Sequence, residues 1–489
     1  MNNIKNYFSI LSIALLIGLV SSCKSGGGTM DSKDALSSFL NGNEDIVTFG
    51  NADLKSILGK VDYKNLPKVG GLIDGELTTL EKVIDFDSPA YYAMQGPFEK
   101  DGSPAVTYAF FQIKDGEAFE TELTKRGYDV IKKGDINIAE DEYYAFGYKN
   151  NLAILVKSNN EANYNELIAE AFKKVENDES GGKIDEILDQ KGDVVLGMNV
   201  QSLYNTSSTD LTKLSKEKQD ELQAMVKDSY IQTVVKFEDG AAIIETKNFF
   251  SAELQSRMFF KSEKNAPILA KLGDGSPRLG LSVNLDMKKM QSLINDYSPE
   301  TMKELSKSMG PIAQTTLMFA GKEGLAALFN GQLGFVMLGD PGENGAMIPD
   351  FNAYLGVTKR GNNIASLIAD FIPEEFAEVS ISDEGMTVNT QSEFSVKSNV
   401  KGLNLPEGAE NFGQSSISFF INLDGLDLDD FDLEKGQNLA KIVKYITFDY
   451  DENGGRLYIK AKKGQENVLK QAVDVLLEEF ESEIGQMPI

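Results

Sequence analysis

One short pattern occurs four times along this chain, and it limits the available folds more than any single residue does. Each copy is an apolar strand, a polar corner, and a helix-like spacing of leucines. The copies begin at Ile46 (IVTFGNADLKSIL), Val194 (VVLGMNVQSLYN), Leu279 (LGLSVNLDMKKMQSLI) and Ser416 (SISFFINLDGLDL). Their spacing is long, short, long, which describes one large unit copied once rather than four equal repeats. A second register agrees. Tyr92 to Leu123 reads strand, Gly96-Pro97 turn, strand and helix; Phe335 to Ile368 reads strand, Asp340-Pro341 turn, strand and helix. The expected halves are 44–275 and 276–489, joined near Gly273-Asp274-Gly275-Ser276-Pro277.

Two hairpins are expected, turning at Asp239-Gly240 and at Asn453-Gly454, dipeptides that suit two-residue connections. The segments 216–227 and 466–483 carry helical spacing instead; in the second, Val468, Ala472, Val475, Leu476 and Phe480 share one face. Hairpins mixed with helices, without strict strand-helix alternation, predict an α+β fold. Antiparallel sheets covered by helices, internally duplicated into two related halves, are the expected architecture.

The first 22 residues read as an export signal. Lys5 supplies the positive start, Ile10 to Val20 the apolar stretch, and Val20-Ser21-Ser22-Cys23 the small-residue close. The apolar run is shorter than the ~20 residues that span hydrocarbon. Ending on the chain's only cysteine predicts a lipoprotein signal peptide, with lipid carried by Cys23 once the chain is cut before it. The Gly/Ser-rich residues that follow, within 23–43, predict a flexible tether. Lys24 after the cysteine, and no acid before Asp31, point to an outer-membrane anchor facing the periplasm.

Composition narrows the chemistry. With Cys23 lipidated no thiol remains, so the fold must stand without disulfides. The chain has no histidine, which removes His-based catalytic triads and His metal ligands, and no tryptophan. Net charge is −27, which repels nucleic acid and anionic surfaces.

The lipoprotein-type signal, the duplicated units and the phrase FFQIKDGEAFETEL from Phe110 to Leu123 resemble the large lipoproteins of unknown function found in Bacteroidota. The resemblance implies an exported, lipid-anchored protein of the outer membrane. It brings no catalytic residues with it.

Candidate sites are few. Asp449, Asp451 and Asn453 match the first half of a calcium loop, but Lys460 stands where a bidentate Glu is needed and the flanks alternate like strands. They read as a hairpin turn and as weak calcium ligands only. The acidic run 424–434 (DGLDLDDFDLE) reads as a solvated face, with calcium-dependent adhesion as its alternative. Two Ser-x-x-Lys matches, Ser180 to Lys183 and Ser215 to Lys218, lack the companion motifs of a penicillin-binding site. The expected function is a non-catalytic binding or structural module of the cell envelope, needing no cofactor. Its partners are a membrane through Cys23 and an envelope protein or glycan, not nucleic acid. The alternative is a hydrolase working through paired Asp and Glu residues. A junction between halves is where a binding cleft forms, which directs attention to residues 270–285.

Overall fold

The computed structural model describes residues 31–485, apart from 42, 68, 100–101, 160–162, 178–180, 207–213, 262–265, 298–319, 339–349, 391–401 and 425–440. The architecture is α+β, with a large antiparallel sheet. The chain divides into two compact units: 1–210 with 226–239 and 466–489, and 211–225 with 240–465. This division differs from halves cut at 275, and strand pairing gives the reason. The strand after Gly240 pairs with Gly454–Ala461, and the helix Val468–Gly485 packs on Tyr230–Glu238 and on Leu54–Val61.

In the first unit the strands are β1 (Ile46–Ala52), β2 (Ala90–Phe98), β3 (Pro104–Gln112), β4 (Val130–Lys133), β5 (Ile136–Glu140), β6 (Tyr144–Lys149), β7 (Leu152–Ser158), β8 (Val194–Asn199) and β9 (Tyr230–Glu238). Their order is β4-β5-β6-β7-β3-β2-β1-β8-β9, antiparallel throughout. Alternating side chains give this sheet two apolar faces, and both are covered. On one, Phe39 of the helix Ser32–Asn41 sets its ring 4.8 Å from Tyr108 and 5.2 Å from Phe110. On the other, Phe119 of the helix Gly116–Lys125 meets Phe111, Phe146 and Tyr148 edge to face. The stretch expected as tether up to Asn43 is therefore helical from Ser32, because Ala35, Leu36, Phe39 and Leu40 recur at helical spacing and are buried. Gly96-Pro97, expected as a turn, lies inside β2, where pairing with β3 shifts register between Gln95 and Phe98.

The second unit contains β10 (Ala241–Phe249), β11 (Leu279–Asn284), β12 (Phe329–Met337), β13 (Phe351–Val357), β14 (Ala377–Ile381), β15 (Met386–Thr390), β16 (Ile417–Asn422), β17 (Val443–Asp451) and β18 (Gly454–Ala461). Their order is β14-β15-β13-β12-β11-β16-β17-β18-β10, again antiparallel. The β17–β18 turn falls on Glu452-Asn453, one residue before the expected pair, since Asp451 already pairs with Gly454. Gly454 serves a different need. A Cβ there would lie 2.0 Å from the Thr246 carbonyl oxygen, so only glycine lets β10 approach.

Within the first unit, one buried carboxylate fastens a helix to the sheet. Asp193, 3% exposed, accepts from the Ser56 hydroxyl at 2.7 Å, from Lys60 Nζ at 2.6 and 2.7 Å, and from the Phe237 amide at 2.6 Å. A buried charge is tolerated only when donors surround it in this way. Asp193→Asn keeps the shape but weakens every one of these bonds. It is expected to cost on the order of 3 kcal/mol in urea unfolding. An unchanged midpoint would contradict the role given to this carboxylate.

Candidate functional site

The residues singled out from sequence come to separate ends. Cys23, Ser180 and positions 425–434 lie outside the described residues. Asp449 is on β17, paired across the ladder with Ser418 and Arg456. Burial pushes its carboxyl above the usual range, with the Ser418 hydroxyl and Arg456 opposing. Asp451 accepts from the Asn453 amide at 2.8 Å inside the turn, a local bond that shapes the hairpin. Among the described residues no group of three acidic side chains is arranged to hold a metal ion. Ser215 accepts from the Lys218 amide at 3.3 Å, as a helix-start residue does.

Lys218 belongs to a charged cluster of the second unit. The helices Lys216–Val226, Ala252–Arg257 and Met287–Tyr297 bring Glu221, Arg257 and Tyr297 together. Glu221 accepts from Lys218 Nζ at 2.8 Å, from Arg257 at 2.7 Å and from the Tyr297 hydroxyl at 2.9 Å. The bonds from Lys218 and Tyr297 pull the Glu221 carboxyl down to about 2. Burial, with the bond to Glu221, pushes the Tyr297 hydroxyl up to about 12. Glu221 draws Arg257 and Tyr297 from two other helices, so the cluster holds helices together. In the first unit, an open depression of about 600 Å³ is lined by Ser56, Lys60, Asp193, Lys236 and Glu238 among others. Its most buried charge, Asp193, is likewise committed to structure.

Among the described residues, one face of the second unit's sheet is apolar and only half-buried. On β11 the buried side chains are Gly280, Ser282 and Asn284, while Leu279, Leu281 and Val283 are only half-buried. Both Ser282 and, on β16, Ser418 are 0% exposed, whereas Ile417, Phe419 and Ile421 are half-buried. On β12, Gly334 and Val336 are buried, Phe335 and Met337 half-buried, and Leu333 is 37% exposed. The usual assignment of faces is inverted: the small and polar side is inside, and the aliphatic and aromatic side is the more open one.

Close packing on the small side fixes this choice. Ile268, Leu272, Ala409 and Phe412 pack there with Val336, Tyr354 and Phe420. A Cβ on Gly280 would lie 2.3 Å from the Phe420 ring, and one on Gly334 would lie 2.5 Å from Ile268. The ladder registers then align the open side into rows across β10, β18, β17, β16, β11, β12 and β13. The middle row is Ile244, Leu457, Phe448, Phe419, Leu281, Phe335 and Ala353. The flanking rows contain Thr246, Tyr450 and otherwise only apolar residues or glycine. No charged side chain occurs in the three rows. Packing by the unit's described helices is concentrated at the β12–β15 end, where Ala365 and Ile368 meet Val357, Met386 and Val388. The β13 members of the rows, Phe351, Ala353 and Leu355, pack against that cluster; the other six strands at ~4.8 Å spacing make the face about 24 Å wide, and three alternate residues make it about 13 Å long.

Sequence reasoning pointed to 270–285, which includes β11, but missed this face. Leu279-Gly-Leu-Ser-Val-Asn284 alternates as a half-buried strand should. Alternation does not say which side the rest of the chain covers.

Comparison with known proteins adds little. No family model matches the chain, and no curated protein matches it. Solved structures titled "Structure of crystal form IV of TP0453" and "Structure of crystal form III of TP0453" are similar at 10% and 9% identity. Their TM-scores are 0.27 and 0.22, with 45% and 74% of this chain and 81% and 93% of those chains covered. At those scores the likeness carries no argument. No helix among the described residues is long and apolar enough to cross a membrane.

Two carboxylates should show opposite pH behaviour. Glu221 is lowered in the folded state, so its contribution is complete above the ordinary glutamate range and is lost as pH falls towards about 2. Glu221→Gln should therefore lower the melting temperature at neutral pH, with the difference from the parent shrinking as pH approaches 2. Asp449 is raised, so its ionisation opposes folding as pH climbs past the ordinary aspartate range. Asp449→Asn should melt no lower than the parent at neutral pH. Losses of equal size in both variants would contradict the distinction.

Proposed function

We infer that this protein is a lipid-anchored binding module of the cell envelope, non-catalytic, with the folded body held outside a bilayer by lipid on Cys23. The half-open apolar face of the second unit is the observation that carries the binding part. A contiguous apolar face of this extent is comparable with the largest apolar patch on a typical monomer, and such patches are often functional. The envelope location and the outer-membrane anchor rest on the signal that ends at Cys23.

The reading also holds that the chain is an internal duplication. Strand order supports it. β1 lies between β2 and β8, and β11 lies between β12 and β16. Those central pairs, β1 with β8 and β11 with β16, are the four places where the sequence pattern recurs. The inverted burial recurs as well: on β8, Val195 and Gly197 are buried, while Val194, Leu196 and Met198 are half-buried. The strand order and the shared burial pattern of β8 and β16 support the duplication, while β1, unlike β11, is buried on both faces.

Metabolic labelling with palmitate tests the anchor. The parent should incorporate label and Cys23→Ala should not. Equal incorporation would remove the lipid from the account and, with it, the assigned location.

A further inference from the structure

We propose that a cavity in the first unit binds one small, uncharged aromatic molecule bearing an oxygen acceptor. The site is separate from the second unit's sheet face and does not depend on it. Residues at the end of the helix Gly70–Leu80, on the helix Gly116–Lys125 and on β6 line a space of about 290 Å³. Leu80, Val83, Ile84 and Leu123 form its aliphatic walls, and none is more than 6% exposed. The polar lining groups are the ones that reach solvent: Glu122, Tyr128 and Tyr144 are half-buried and Arg126 is exposed. Water held against aliphatic walls finds few partners, and an apolar cavity of roughly 150 Å³ suffices for benzene. The larger space here accommodates a ring with a substituent.

Rings and charge select the ligand class. Phe119, Tyr128 and Tyr144 each meet Phe146 edge to face, at 81°, 82° and 84°, with centroids 6.3, 6.0 and 5.6 Å apart. All four line the cavity, so an aromatic guest extends the same edge-to-face packing, which a saturated ring cannot do. Charge of either sign is disfavoured. Arg126 donates from Nε to Glu122 at 2.9 Å and from Nη2 to Glu76 at 2.8 Å. An anionic guest meets two carboxylates around one guanidinium, and a cationic guest meets that guanidinium. Either would also lose its hydration against the aliphatic walls.

The two tyrosines supply the polar contact. Their hydroxyls are hydrogen-bonded to one another, and among the described residues neither makes another hydrogen bond. Two hydroxyls bring two protons; one is spent between the oxygens, and one remains to be donated to an acceptor on the guest. Burial, and then the bond to Tyr144, pushes the Tyr128 hydroxyl up, so it keeps its proton at neutral pH. Removing either hydroxyl alone still leaves one O–H unspent. Only removing both deletes the donor.

Calorimetric titration of the mature chain carrying Cys23→Ser with acetophenone is the test. One molecule should bind, about fivefold tighter than toluene, which has no acceptor, or cyclohexyl methyl ketone, which has no aromatic ring. Benzoate and benzylammonium should bind at least tenfold more weakly than acetophenone. Tyr128→Phe and Tyr144→Phe should each stay within about twofold of the parent. The double variant should lose about fivefold for acetophenone and nothing for toluene. Val83→Phe projects a ring into the cavity and should weaken acetophenone at least fivefold without lowering the melting temperature; Leu123→Phe takes its place should that variant fail to fold. No binding of acetophenone by the parent would overturn the proposal. So would equal binding of any comparison compound, parental affinity in the double tyrosine variant, or undiminished affinity in the filled cavity.

Discussion

Packing of small side chains beneath β11, β12 and β16 is the constraint on which the second unit depends. Gly280, Ser282 and Gly334 admit Phe412, Phe420, Ile268 and Leu272 so closely that no larger residue fits at either glycine. Because strand side chains alternate, sinking that side of the sheet turns Leu279, Leu281, Val283, Phe335 and Phe419 to the other. A one-residue slip would exchange the faces, but it would drive leucine side chains into space that holds only hydrogen atoms. The half-buried apolar face is thus a consequence of tight packing on the other side of the sheet.

Charge does different work in this molecule. Asp193 and Glu221 each gather three or more donors, and each joins elements distant in sequence: Ser56, Lys60 and Phe237 to the one, Lys218, Arg257 and Tyr297 to the other. These arrangements resemble sites in a list of residues but are satisfied from within the chain. The contrast with the apolar face is physical. A saturated ion cluster has little left to offer a ligand, while an aliphatic surface gains from any apolar partner that displaces its water.

Much of the fold is legible in the sequence because local rules and tertiary packing agree there. The α+β class, β1, β8, β11 and β16 and the helix Gly116–Lys125 follow from alternation, helical spacing and the Asp115 cap. Ser32–Asn41 is harder: its serines and Lys33 read as linker, and only packing of Leu36 and Phe39 on the sheet reveals a helix. Unit boundaries are harder still, since the pairing of β10 with β18 joins segments some two hundred residues apart. The face itself leaves a faint trace. In LGLSVN the alternate positions hold glycine, serine and asparagine, and small residues at such spacing permit close approach as readily as they face solvent. Deciding between those needs the partners Phe412 and Ile268, which no local window contains.

The most direct measurement is thiol accessibility across the sheet. Cys23 is the chain's only cysteine, so in a Cys23→Ser background a single introduced thiol can be followed with a maleimide. Leu281→Cys points to the open side and Ser282→Cys, one residue on, to the packed side. The account requires Leu281→Cys to be modified at least tenfold faster than Ser282→Cys in the folded protein. Equal protection of the two, or the reverse order, would mean that the aliphatic side is the closed one.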